Sequence, residues 1–516
     1  MRGRVMARMC VCLCLVMLMP ALARADTADS QTQGNAGPEP VYQTLHELTG
    51  KRFAYVNGSV YNQNVHKKIE GTNDDFYASL PDCVAAVEAG KEDAAVQLSY
   101  CCELVVNRKG GTVAMLPEYV DAVDEAFFFP KGDPKVKEFN EVIKEFEADG
   151  TIEQLTEKWV GTDESAKTVP KQDWEAPNGT LKFATSGVLE PFSYVGAGGE
   201  ILGYDVDLAL HIAKKLGYHL EVSTITMDAI FASVQSGKVD FGGTLTNTAE
   251  RAKMVDFSEK VMPCYISVIV EAKGAAQKGS GSVIERFKES FTRTFVEEGR
   301  WKLILEGLGV TVVISVCSGV LGTLLGFATV LMRRSGRSWA CKLVDIYQKL
   351  MGGIPLVVVL MVLYYVVFGS LNIAGEIVAI MAFTLAFGSI SGSTMWTAIT
   401  GMNAIQEETG LALGFTRRQV FAHIIFPQAM RQFVPQLMGQ FVSLVKDTSI
   451  VGYIAVQDLT RASDLIRART MDAFFPLIST AIIYFVFCQI LAVILNKVIA
   501  HFDVSNRPHK IEGVTE

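Results

Sequence analysis

The chain has 516 residues, 49% of them hydrophobic and 20% charged, and a formal net charge of −8 at pH 7. A single hydrophobic core rarely extends beyond about 250 residues, so this length excludes a one-domain protein. The composition requires that apolar and charged residues be segregated along the chain. Charged residues are frequent up to about Ser280, and long apolar runs begin at Leu303. The sequence therefore predicts a soluble half followed by a membrane half, with no nucleic-acid partner.

The N-terminal residues have the pattern of a secretory signal peptide. Arginines precede an apolar run of about a dozen residues from Met9, and small residues follow at Ala23 and Ala25. Because a membrane span needs about 20 apolar residues, we predict cleavage of residues 1–25 rather than a retained anchor. The polar linker at 26–44 then starts outside the cytoplasm.

The soluble half contains two α/β stretches, at 45–163 and 178–275, which a linker at 164–177 joins. Each opens with an alternating apolar segment that breaks at a glycine, which is typical of a strand ending over a ligand cleft. These segments are Lys51–Ser59 and Thr180–Gly187.

A short internal repeat supports two similar half-domains. VEAGKED begins at Val87 and VQSGKVD begins at Val234. In each copy, we predict that a helix ends at the glycine and that the chain then re-enters a sheet.

Three longer runs resemble the periplasmic solute-binding proteins of the polar amino-acid type. They are Thr185–Gly217, which contains the box GYDVDLA, Thr244–Val261, and the closing pattern Phe128–Gly161. The resemblance implies a two-lobed α/β fold that binds its ligand between the lobes. In that family the opening lobe comes first, whereas here the second lobe and closing piece precede it. We interpret this order as a circular permutation; the alternative is two incomplete copies that another chain completes.

The resemblance also implies the ligand-binding residues. Arg251 matches the arginine that clamps the α-carboxylate of the ligand, a role that suits a planar guanidinium. The alternative for Arg251 is a surface arginine in a helical turn. Other matching positions in the two lobes are Gly243, Thr244, Thr246, Gly58 and Ser59.

Several positions depart from the family pattern. Leu98 stands where an aspartate usually pairs with the ligand's ammonium group, and an apolar side chain cannot do this. Glu190 or Asp228 could supply the missing charge, or could be ordinary loop and capping residues. The residues expected to wall the ligand are Leu189, Met227 and Phe192, with Tyr194 close by.

The cysteines outside the signal and membrane segments give no metal-binding spacing, and no cofactor is expected. They are Cys83, Cys101, Cys102 and Cys264. A disulfide from Cys83 to one of the adjacent pair and four buried thiols are both compatible with the sequence.

A connector at 276–301 places Phe287, Phe291 and Phe295 four residues apart. This spacing predicts an amphipathic helix, either at the bilayer surface with Trp301 at the interface or simply packed against the protein.

The remaining chain reads as an all-α membrane domain of five spans at 302–503, followed by a cytoplasmic tail at 504–516. The spans are predicted near 306–332, 354–369, 374–398, 437–456 and 474–497. Basic residues on the first and third loops place those loops inside, in agreement with the positive-inside rule. Three arginines on the predicted outside loop oppose this rule: Arg461, Arg467 and Arg469.

The segment Glu407–Leu437 resembles the coupling loop of ATP-binding-cassette importer permeases. A short helix, a glycine turn and a second helix would form a knob that inserts into another protein. Arg417 and Arg418 could aid this docking electrostatically. Glu408, Gly414, Ile424 and Pro427 keep the family register, whereas Thr409, Gly410 and Phe426 depart from it.

Further runs beginning at Glu306, Gly352 and Ser443 resemble polar amino-acid permeases. No phosphate-binding loop of the type GxxxxGK[ST] occurs, so the chain is not expected to be an enzyme. The expected partners are a separate dimeric ATPase, a second permease subunit, the lipid bilayer and a small polar amino acid or carboxylate. The alternative is a ligand-gated channel or receptor with the same binding fold.

Overall fold

The computed structural model describes residues 38–161, 163–196, 199–274, 283–369, 371 and 373–502. The predicted signal peptide, most of the linker after it and the cytoplasmic tail lie outside these residues. The chain forms two compact units. The first takes in residues up to Glu306 together with Gly369–Asn372 and Thr460–Thr480, and the second takes in the rest.

The described residues form α-helices and β-strands in the following order. The strands are β1 (Arg52–Val56), β2 (Asn73–Tyr77), β3 (Ala94–Leu98), β4 (Val113–Met115), β5 (Asp121–Pro130), β6 (Thr180–Thr185), β7 (Val188–Leu189), β8 (Ser193–Val195), β9 (Ile201–Leu202), β10 (His219–Thr224), β11 (Phe241–Thr246), β12 (Val255–Phe257) and β13 (Met262–Glu271). The helices are α1 (Tyr61–Lys68), α2 (Leu80–Glu88), α3 (Ser99–Arg108), α4 (Lys135–Ala148), α5 (Thr151–Val160), α6 (Tyr204–Lys215), α7 (Met227–Gln235), α8 (Val283–Phe291), α9 (Trp301–Arg334), α10 (Ser338–Gly353), α11 (Leu356–Met361), α12 (Gly375–Thr400), α13 (Ala404–Ala412), α14 (Arg417–Val420), α15 (Phe426–Asp447), α16 (Leu459–Thr470) and α17 (Phe475–Phe502).

The first unit contains two lobes with the same strand order. One lobe has the order β10, β6, β11, β5, β12, and the other has the order β2, β1, β3, β13, β4. The long strands β5 and β13 pair with each other and run from one lobe into the other. The predicted two-lobed α/β fold is therefore confirmed, and β5 and β13 are the strands that connect its halves.

The internal repeat is also confirmed at the level of single residues. Gly90 and Gly237 follow the ends of α2 and α7 with φ angles of 66° and 69°, values that glycine adopts without strain. The aspartates that close the two copies then accept hydrogen bonds from the neighbouring strands. Asp93 binds the backbone N–H of Arg52 at 3.0 Å, and Asp240 binds that of Lys182 at 2.8 Å.

The first and last described segments of the two-lobed region pair with each other in the second lobe. Pro40 forms an antiparallel bridge with Ala272, and the N–H of Val41 donates to the carbonyl of Glu271 at 3.0 Å. The closing helices α4 and α5 pack instead against α6 of the first lobe. One chain thus provides both lobes and the closing segment.

Four cysteines of the first unit are free and buried: Cys83, Cys101, Cys102 and Cys264. Of the two interpretations of these cysteines, the structure agrees with buried thiols. Burial raises the pKa of each thiol.

The predicted helix of the connector is shorter than expected. Helix α8 ends at Phe291, a π-helical turn follows at Thr292–Val296, and Glu298 takes a positive φ of 53° before α9 begins. Phe287 stacks on Phe291, and its ring centroid also lies 5.3 Å from that of Phe475. The aromatic face predicted from the spacing is therefore partly packed within the first unit.

The second unit is helical, and its predicted spans need two corrections. Among the described residues, three helices are long and apolar enough to cross a membrane: α9, α12 and the first 23 residues of α17. A fourth span is formed only if α10 and the segment Leu356–Val367 count together, and these are bent by 108°. The predicted span at 437–456 is not among them, because α15 contains Pro435 and several glutamines and gives way to a 3-10 helix at Thr448–Ile454.

Candidate functional site

A cavity of about 270 Å³ lies between the lobes, a volume that suits one small solute. Seven of the ten predicted ligand residues line it: Gly58, Leu189, Phe192, Met227, Gly243, Thr244 and Arg251. Side chains that the sequence did not single out complete the wall, among them Asp205, Phe128 and Phe231. The rings of Phe128 and Phe231 stack with centroids 5.2 Å apart and give the cavity an apolar part of its wall.

Arg251 joins the two lobes at this cavity. It begins a short 3-10 turn after β11, and its Nη1 donates to the carbonyl of Thr246 at 3.0 Å. Its Nη2 donates across the cleft to the carbonyl of Gly58 at 2.7 Å. A guanidinium has five N–H donors, so two of them fix the side chain and the others are available to grip a carboxylate.

Asp205 is the main polar residue of the cavity that sequence reasoning missed. Its carboxylate accepts the backbone N–H of Thr244 and the Thr244 hydroxyl, both at 2.9 Å. Burial raises the pKa of Asp205 to about 7, although the hydrogen bonds from Thr244 oppose this rise. The available signal was its place in the GYDVDLA box, where an acidic residue in the first helical turn follows a glycine.

Two glycines permit this arrangement. Gly203 precedes α6 with a φ of 129°, and a Cβ there would lie 2.3 Å from the carbonyl oxygen of Phe192. At Gly243 a Cβ would lie 3.0 Å from Asp205 Oδ2. Larger residues at either position would therefore displace the backbone that presents Thr244 and Asp205.

Three predicted residues do not line the cavity. The hydroxyl of Thr246 turns into the protein and donates to Glu125, a buried acid whose pKa burial raises to about 7. Leu98 is fully buried in the sheet opposite Ile266. Ser59 lies in the turn after β1, and its hydroxyl is buried with no hydrogen-bond partner among the described residues.

The acids suggested as ammonium partners are not available in the cavity. Glu190 is buried and binds Arg108 and Arg469, each within 2.7 Å. The side chain of Asp228 lies outside the described part of the structure. Asp205 is therefore the acid that the described residues bring to the cavity wall.

A second candidate site is the predicted coupling loop, which forms a helical hairpin from α13 and α14. Gly414 turns the chain between the helices with a φ of 87°. Thr416 and Gln419 then form a capping box that begins α14. Glu408, Arg417, Arg418 and Pro427 are exposed, and Ile424 is half-buried.

Gly410, which departs from the family pattern, lies where α13 packs closely against α14 and the turn that follows it. A Cβ at this position would be 2.8 Å from Val420 and 3.0 Å from Ile424. The tip of the hairpin exposes Leu413 and Phe415. At the start of α14, the carbonyl of Arg417 accepts a hydrogen bond of 2.9 Å from Arg334 at the end of α9. The hairpin is thus fixed at its base by the bond from Arg334 and presents an exposed apolar and basic tip.

Comparison with known proteins finds two family profiles that match parts of this chain. The sequence profile of bacterial extracellular solute-binding proteins, family 3, matches residues 181–339. The profile of the binding-protein-dependent transport system inner membrane component matches residues 318–501.

Three curated relatives are transport permeases. The L-cystine transport system permease protein TcyB of Bacillus subtilis is 28% identical over 40% of this chain and 90% of its own length. The probable amino-acid ABC transporter permease protein YckA of Bacillus subtilis is 31% identical over 39% and 90%. The arginine ABC transporter permease protein ArtQ of Haemophilus influenzae is 30% identical over 37% and 90%.

Proposed function

Since this chain belongs to the family of binding-protein-dependent transport system inner membrane components, we propose that it captures polar amino acids or related small carboxylates and passes them to its own membrane domain. The fusion of a solute-binding domain to an importer permease follows from the two family matches. The chain is a transport subunit rather than an enzyme, and a separate ATPase hydrolyses ATP.

The observation that supports the amino-acid assignment most strongly is the position of Arg251. Its guanidinium lies on the cavity wall, donates to the Thr246 carbonyl of β11 and binds the second lobe through Gly58. This arrangement suits a ligand carboxylate. Asp205 is the acid on the same wall and is our candidate for the ligand's ammonium group. The names of the three curated relatives agree with a substrate of this class.

The hairpin supports the choice of partners. Its tip exposes Leu413, Phe415, Arg417 and Arg418, and such a surface would suit an apolar cleft with an acidic rim on the ATPase. A second permease subunit, identical or related, would complete the pathway. We place the binding lobes outside the cytoplasm and the hairpin inside, because the solute must be captured on the side from which it is imported. The comparisons do not favour the channel or receptor alternative, since the relatives are permeases.

We also infer that the binding domain is a circularly permuted single copy. The direct pairing of Pro40 with Ala272 supports this, because it brings together the two segments that an unpermuted chain would join. In the full chain solubilised in detergent, both lobes of a binding domain should then come from the same chain. Differently tagged copies that co-purify through their lobes would favour the incomplete-copy alternative.

The transport proposal is tested with the full chain in detergent and a panel of the twenty L-amino acids together with L-cystine. At least one compound should raise the unfolding temperature of the first unit, and Arg251→Ala should abolish that rise. The matched control is Arg52→Ala, which removes an exposed arginine paired with Asp93. A panel without any response contradicts the amino-acid assignment.

A further inference from the structure

The three arginines that oppose the positive-inside rule have a structural role that the transport function does not by itself require. Arg461, Arg467 and Arg469 lie on α16, which falls within the part of the sequence predicted as the membrane domain. Residues Thr460–Thr480 nevertheless form one compact unit with the binding lobes. All three arginine side chains are largely buried there, and each binds named groups of the lobes.

Arg461 holds two loops of the first lobe at the cavity. Its Nη2 donates to the carbonyl of Ser186 at 2.5 Å and to that of Ile225 at 3.1 Å. Ser186 lines the cavity, and Ile225 lies two residues before Met227, which also lines it. The position of this guanidinium is therefore linked directly to the shape of the cavity wall.

Arg469 forms the centre of a buried ionic cluster. It binds both oxygens of Glu190, at 2.6 and 2.5 Å, and lies over the ring of Tyr194. Arg108 of the second lobe binds the same carboxylate at 2.7 Å. Burial opposes ionisation of Glu190, but Arg108 and Arg469 outweigh it and hold the pKa of this carboxyl below its ordinary value. Glu190 follows the cavity residue Leu189, so the cluster fixes that loop.

Arg467 extends the contact to the second lobe. It forms an ion pair with Asp82 in the first turn of α2, and its Nε donates to the carbonyl of Ala473 at 3.0 Å. Helix α16 therefore contacts both lobes. Because a buried charge that loses its partner is costly, these contacts favour one arrangement of the two lobes.

From these contacts we infer that α16 is a docking element that holds the binding lobes in cis, and that Arg461 and Arg469 are positioning residues for the ligand cavity. The loops at Ser186–Phe192 and Ile225–Met227 couple the ligand cavity to α16. The apolar helix α17 follows α16 in the sequence. The inference rests on the proposed function only in the identity of the ligand.

Hydrogen–deuterium exchange of the ligand-free full chain in detergent tests the docking. Arg461→Ala and Arg469→Ala should raise amide exchange in peptides that cover residues 186–192 and 225–231 by about tenfold. Lys215→Ala is the matched control, because it breaks an exposed ion pair with Glu145 on the same lobe. Glu190→Gln is a milder variant that keeps the side-chain shape if an arginine variant fails to fold. Unchanged exchange in the folded variants overturns the inference.

The positioning role has a separate readout. For whichever compound of the amino-acid panel responds, Arg469→Ala should weaken binding by about tenfold, and Arg469→Lys should restore part of it. Raised exchange with unaltered affinity would overturn the positioning role. A panel without a response contradicts the proposed substrate instead, and the ligand-free exchange still decides whether α16 is docked.

Discussion

Trp159 donates its indole N–H to Asp207 at 2.9 Å, and this bond fastens the closing segment of the binding domain to the first helix of the opening lobe. Lys158 reaches the same carboxylate oxygen at 2.6 Å. Asp207 is completely buried, so one acid serves two residues that lie 48 and 49 positions earlier in the chain. The contact explains how a closing segment that comes first in sequence still completes the opening lobe.

Asp207→Ala should destabilise the binding domain by about 3 kcal/mol, because it leaves the indole N–H and the Lys158 ammonium without their acceptor. Asp207→Asn should reduce the stability less, since an amide oxygen can still accept one of the two hydrogen bonds. Thermal and chemical unfolding of the first unit in the full chain measure this difference. Lys215→Ala, which removes an exposed pair, should change stability by no more than about 0.5 kcal/mol. Equal losses in Asp207→Ala and this control contradict the prediction.

Stability should depend on pH through Asp205. Its pKa is about 7 in the fold against an ordinary value of 3.8, so the folded chain binds this proton more tightly than the unfolded chain. The stability contributed by the neutral acid is complete below about pH 4 and is lost as pH rises through about 7. We expect the unfolding temperature of the first unit to fall between pH 5 and pH 8.

Asp205→Asn should reduce this fall, because it removes the charge and keeps an oxygen for Thr244. At pH 8 the variant should be more stable than the natural chain by roughly 4 kcal/mol, the difference should be smaller at pH 5, and below pH 4 the two should be similar. Glu125→Gln tests the second buried acid, whose pKa is also raised to about 7. Identical pH profiles for the natural chain and both variants would contradict this account.

Arg251→Lys should weaken ligand binding nearly as much as Arg251→Ala. A lysine keeps the charge but cannot bind Gly58, Thr246 and a carboxylate at the same time with planar geometry. We expect a loss of about tenfold to a hundredfold in affinity, measured by calorimetry on the full chain. Full retention of affinity in the lysine variant would show that charge alone suffices.

Gly410→Val should uncouple transport from ATP hydrolysis without preventing folding of the membrane unit. The new side chain would push α13 away from Val420 and Ile424 and so change the shape of the hairpin. Gly414→Val should act in the same way through strain, because φ at this position is 87°. ATPase stimulation in proteoliposomes that contain both partners is the measurement.

Gly439→Ala is the control for both substitutions, since a Cβ there meets no atom within 4 Å. It should leave stimulation unchanged. If Gly410→Val also stimulates normally, the close approach of α13 and α14 is not needed for coupling.

Local patterns predicted a large part of this structure. The strands that break at glycine, the internal repeat and the helical hairpin of α13 and α14 each depend on residues that are close together in the sequence. Arg251 was also recognisable, because its motif fixes its distance from β11. Asp205 was missed although its motif was read, because its partner Thr244 lies 39 residues away and the burial that raises its pKa is not local.

The amino-acid order of this chain is enough to specify two α/β lobes and a membrane domain, because periodicity and turn residues act over short distances, and its resemblance to importer permeases predicts the coupling loop. It cannot assign Arg461, Arg467 and Arg469, which as sequence only contradict a topology rule. Arg461 meets Ser186 across 275 residues, and Arg469 meets Glu190 across 279. Such contacts form only when the chain folds back on itself, and folding converts three misplaced charges into buried, paired ones that hold the ligand cavity.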